Sequence, residues 1–63
     1  MDSERAELVA LTGSLDDLTR RITAIADRLR GGPRNDVADG LYEAERSLLA
    51  AARQMERVVR TLR

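Results

Sequence analysis

The chain contains no cysteine, histidine, lysine, tryptophan or phenylalanine, and it has one tyrosine and one proline. Without cysteine no disulfide can staple a small fold, and without histidine the commonest metal ligands are gone. The Glu-x-x-His pattern of di-iron four-helix proteins is likewise excluded. General base chemistry would fall to a carboxylate. Nucleophilic chemistry would fall to Ser3, Ser14, Ser47 or a threonine, none with an evident activating neighbour. The expectation is a protein that is not an enzyme, with no cofactor, no metal and no small-molecule substrate.

Net charge is also missing. Eleven basic and eleven acidic residues cancel, so no overall field draws the chain to nucleic acid or to a membrane. No apolar run approaches the roughly 18 residues of a membrane span. The opening MDSERAEL is acidic where a secretory signal would be basic and then apolar, which gives a cytoplasmic location as the expectation. All eleven cations are arginine and alanine is abundant, which reads as the codon bias of a GC-rich bacterial genome.

What is present is helix-forming: Ala, Leu, Arg, Glu and Gln dominate, and strand-forming clusters are absent. The stretch RGGPRND around Pro33 is the clear turn signal. It divides residues 1–63 into a single hairpin: helix 1 over about 3–30, a loop at 31–35 and helix 2 over about 36–62. Gly31 or Gly32 would end the first helix, and Asp36 would cap the second.

In the first segment Leu8, Leu11, Leu15, Leu18, Ile22, Ile25 and Leu29 follow one another at alternating steps of three and four. In the second, Val37, Leu41, Ala44, Leu48, Ala51, Met55, Val58 and Leu62 alternate in the same way, beginning with a step of four. These are coiled-coil heptads with alternating a and d positions, Leu8 and Leu41 both falling at a. The pattern runs through LTGSLDDL without a phase change. Ser14 and Asp17 there resemble a helix start, but Gly13 falls at the outward f position, so the spacing predicts one continuous helix. Folding the chain at the loop sets seam against seam, from Leu29 opposite Val37 to Leu8 opposite Val58.

The e positions include Thr12, Thr19 and Ala26 on the first helix and Ala38, Ala52 and Val59 on the second. They are mostly small or uncharged, which makes the apolar face wider than a two-helix seam needs. A chain of 63 residues rarely holds a sufficient core alone, and association is the remaining way to complete one. The expected fold is therefore all-α: an antiparallel two-helix hairpin dimerising into a four-helix bundle, with the heptad residues as hairpin and dimer core. The expected partner is a second copy; a bundle completed by another protein is the alternative.

Beyond the heptads, Tyr42 and Leu49 at position b, with Arg53, Arg57 and Arg60, are a candidate partner surface; with Ala38, Ala52 and Val59 the two would make a second, shallow apolar strip, and Val9 at b on the first helix could join the same border. Arg53, Arg57 and Arg60, with Arg63, form a basic row that would complement the helix dipole and lie beside Asp2, Glu4 and Glu7. Arg20, Arg21, Arg28, Arg30 and Arg34 form a second basic region, interrupted by Asp16, Asp17 and Asp27 and without interleaved aromatics for base stacking.

The paired heptads resemble those of the Rop-type four-helix bundles, which bind paired RNA loops and also alternate small and large core residues. The resemblance covers the heptads alone. It implies, as the alternative to a protein-protein interaction or regulatory module, an RNA- or DNA-binding regulator using the arginine rows. Glu43, Ser47 and Gln54 also match part of the Glu-x3-Ser-x2-Arg-x3-Gln-x3-Asp pattern of hairpins that bind cyclic di-GMP. Ala50 and Val58 stand at its Arg and Asp positions, which removes most of the ligand contacts.

Overall fold

The computed structural model describes residues 2–62 and consists of two α-helices, α1 (Asp2–Leu29) and α2 (Asn35–Thr61), packed against each other as a hairpin. Its dimensions of 49 × 14 × 9 Å are those of a rod one helix thick and two helices wide. Among the described residues, no helix is long and apolar enough to cross a membrane.

α1 is continuous through Gly13, which is exposed; a Cβ placed there would meet nothing within 4 Å. Two threonines near this point keep their hydroxyls inside the helix: Thr12 donates to the Leu8 carbonyl (2.8 Å) and Thr19 to the Leu15 carbonyl (2.7 Å). With the hydroxyl satisfied locally, the methyl group is free to pack.

The helix ends at Leu29, and the chain turns at Gly31, whose φ of +81° only glycine adopts without strain. Its N–H donates to the Asn35 side-chain oxygen (2.8 Å), tying the turn to the start of α2. Asp36 is not the N-cap that its sequence position suggested. The cap position is Arg34, which makes no side-chain capping bond, because α2 begins at Asn35 and so places Asp36 inside the first turn. There the Asp36 carboxylate accepts from the Arg34 guanidinium at 3.2 and 3.3 Å, which holds its pKa below the usual carboxylate value.

Opposite effects are expected at the two glycines. Gly13→Ala adds about 1 kcal/mol by removing backbone freedom at an open helical site, raising the thermal midpoint by several degrees. Gly31→Ala lowers stability by about 1–2 kcal/mol, because a Cβ is forced into the left-handed region. Thermal unfolding followed by circular dichroism checks both; an unchanged midpoint for Gly31→Ala would contradict the turn geometry.

A candidate interaction face

The contact between α1 and α2 does not run along the a and d rows, as the spacing had suggested. Burial follows a and e. On α1 the buried or half-buried positions are Leu8, Thr12, Leu15, Thr19, Ile22, Ala26 and Leu29, with Thr23 at b; on α2 they are Ala38, Leu41, Glu45, Leu48, Ala52, Met55 and Val59, with Tyr42 at b, Val37 and Ala44 at d, and Leu62 just past the helix end. Ala26 and Ala38 are fully buried, and Thr19 nearly so. All three sit at e. The reason lies in side-chain size: small residues at e let the backbones approach on that flank, whereas Leu11, Leu18 and Ile25 at d would hold them apart.

The d row of α1 and the later part of the α2 d row consequently face outward on one side of the hairpin, while Val37 and Ala44 are half-buried. Leu11, Leu18, Ile25 and Val58 keep 40–52 % of their surface exposed, and Ala51 is exposed beside them. The a residues are only half-buried, because each shows one flank to the seam and the other to this open side. Among the described residues no large side chain is fully buried. The chain exposes 4704 Å² in all. A compact folded monomer of 7.0 kDa would expose about 4,050 Å², so the excess is about 650 Å². A standard protein-protein interface covers about 800 Å² on each partner.

Next to d on the open side lies the g row. On α2 it reads Gly40, Ser47, Gln54 and Thr61, all exposed and all uncharged, so together with Val37, Ala44, Ala51 and Val58 it forms a charge-free strip along the whole helix. The heptads made this row available to inspection, but its significance depends on knowing that the hairpin uses the opposite flank. On α1 the g row is Glu7, Ser14, Arg21 and Arg28, again all exposed.

The opposite side of the hairpin carries the cross-helix polar bonds. Thr23 Oγ1 lies 2.7 Å from Glu45 Oε2 and 3.0 Å from the Thr19 carbonyl, so one proton serves two acceptors. Tyr42 donates its hydroxyl to Asp27 Oδ1 (2.5 Å). Tyr42 is half-buried, while Leu49 and Val9 are exposed. The e residues Ala38, Ala52 and Val59 do not join Tyr42 and Leu49 in an outer apolar strip; they pack within the hairpin. Two shallow grooves on this side are lined by Val9, Thr12, Val59 and Arg60, and by Thr19, Thr23, Glu45 and Leu49, among others.

Arg53, Arg57 and Arg60 are exposed at f and c, pointing away from α1. Arg57 donates to Gln54 Oε1 (3.3 Å), and among the described residues none of the three pairs with Asp2, Glu4 or Glu7. Arg63 lies outside the described residues. In the second basic region Arg20 pairs with Asp16 and Arg21 with Asp17 (3.9 Å) along the same helix face, as the sequence interleaving implies. These are exposed pairs that add little stability. Among the described residues, no group of acidic side chains gathers as a metal site.

Comparison with protein-family models, with curated proteins and with solved structures gives no match for this chain.

The hydrogen bond to Asp27 is the largest cause raising the Tyr42 pKa above the usual 10.0; desolvation and the Asp27 and Glu45 charges add to it, and Arg30 opposes it. A pKa raised by folding stabilises the hairpin fully below the unfolded value, near pH 10, and is lost as pH rises through the folded value. With lysine, cysteine and histidine absent, Tyr42 is the only side chain titrating in this range. The thermal midpoint is expected to fall above about pH 10, and Tyr42→Phe to flatten that fall. Tyrosinate absorbance that titrates at or below the free-tyrosine value would contradict the bond.

Proposed function

We propose that the chain is a non-enzymatic, self-associating helical hairpin, two copies of which form a four-helix bundle that serves as a protein-protein interaction or regulatory module. The observation that carries this reading is the open d row of α1: Leu11, Leu18 and Ile25 repeat at heptad spacing, yet the hairpin leaves each of them about half exposed. Apolar side chains held in phase over three turns of the heptad are costly to leave wet, at roughly 25 cal/mol per Å².

A second copy fits this face in three ways. It carries the same heptad period, it has no net charge to repel its twin, and the excess surface of each hairpin is close to what a standard interface covers. The cytoplasm is the compartment proposed for the bundle. An RNA- or DNA-binding role for the arginine rows is the competing reading, and it lacks a specific feature in its favour: Arg20 and Arg21 pair with acids of their own helix, the net charge is zero, and no exposed aromatic row accompanies the cations.

Light scattering of the purified chain is expected to give about twice its 7.0 kDa mass. Leu18→Asp, which alters an exposed residue of the single hairpin, is expected to weaken the dimer at least a hundredfold, since two copies of the leucine leave the interface. A well-ordered monomer at micromolar concentration would contradict the reading, as would tight, salt-sensitive binding of a polynucleotide by a chain that does not self-associate.

A further inference from the structure

The open side differs in bulk between the two helices. On α1 the d row is Leu11, Leu18 and Ile25, a ridge. On α2 the loop-proximal part of the strip is Gly40, Ala44, Ser47 and Ala51, a trough, with the larger Gln54 and Val58 nearer the open end. At the three α2 glycine and alanine positions the side chain is at most a methyl group, and a Cβ built on Gly40 meets nothing within 4 Å. Ridge and trough lie on the same side of the hairpin, and so they meet in space only when two hairpins come together.

Charge borders both features with a definite polarity. Along the g row of α1, Glu7 stands toward the open end of the hairpin, and Arg21 and Arg28 toward the loop. Along the c row of α2, Asp36 and Glu43 stand toward the loop and Arg57 toward the open end. When two hairpins lie with their loops at one end, α1 of the first runs antiparallel to α2 of the second. Arg21 and Arg28 then come level with Glu43 and Asp36 of the second copy, and Glu7 with its Arg57. All of these side chains are exposed in the single hairpin.

We infer that the two copies associate with both loops at the same end, each α1 ridge seated in the α2 trough of the other. This rests on the homodimer reading above and adds its topology. The opposite arrangement, loops at opposite ends, sets α1 on its own copy and α2 on its own copy. Charge alone does not separate the two, because each helix is acidic early and basic late, and any antiparallel pair matches.

Shape does separate them. Ridge on ridge holds the α1 pair near the upper limit of the 8–10 Å range of helix spacings, while trough on trough is filled only near the lower limit. The hairpin, rigid along its seam, would have to satisfy both at once. With loops at one end the bundle has two identical seams, each with large side chains in holes lined by small ones.

Because the chain has no cysteine, a single nitroxide is introduced without background at Arg34→Cys in the loop, or at Ser3→Cys near the open end. Pulsed electron spin resonance on each labelled dimer reads the separation of the two labels. The inference expects short distances at both sites, about 20–30 Å, set by bundle width plus label length. Separations near the 49 Å length of the hairpin at both sites would overturn the topology while leaving self-association intact. A chain, labelled or unlabelled, that scatters light as a monomer would overturn both.

Discussion

A hairpin of two helices has one line of contact, and each of these helices carries mostly uncharged residues on three neighbouring rows, Glu45 being the charged residue within the contact. Only two of those rows, a and e, can be shielded by the other arm. The third, d, is left about half in water along α1 and the later part of α2 in a single chain. That mismatch between the width of the apolar face and the width of one seam governs the rest of the molecule. It explains why no large side chain is fully buried among the described residues, why the a residues are only half-covered, and why the exposed surface exceeds that of a compact chain of this mass.

Which flank the arms share is set by size. Thr19, Ala26 and Ala38 occupy the tightest part of the contact, and threonine is admitted because its hydroxyl is satisfied by the carbonyl four residues back. Charge plays little part in joining the arms. The ion pairs among the described residues are local ones, within a helix or across two residues of the turn. The bonds that cross the hairpin, Thr23 to Glu45 and Tyr42 to Asp27, lie on the side away from the d row. They hold the rotation of the helices about their axes and so keep the apolar row turned outward.

Much of this was legible in the sequence. The unbroken three-four spacing gave both helices their extent, and it carried more weight than the local capping signal at Ser14, because a helix break would have thrown Leu8 and Leu11 out of phase with Leu15 and Leu18. The turn at Gly31 was legible from composition. The choice of flank was not, since a heptad reading assumes that a and d face the same neighbour, and here d, a and e were all mostly uncharged, Glu45 apart. The distinguishing signal was the contrast between small e residues and bulky d residues on α1. The cap was misplaced by two residues for a simpler reason: Asn35 is engaged by the Gly31 N–H and Asp36 by Arg34, so neither side chain caps α2. The arginine row at 53, 57 and 60 was expected to meet the acids of α1, but the f and c positions it occupies point away from that helix.

The most direct measurement is the thermal midpoint of the unmodified chain as a function of its concentration. If the d row is covered by a second copy, unfolding is coupled to dissociation, and a hundredfold dilution lowers the midpoint by about 10 °C. A cooperative transition at a midpoint that does not move with dilution would mean that one hairpin is stable with its leucine row in water.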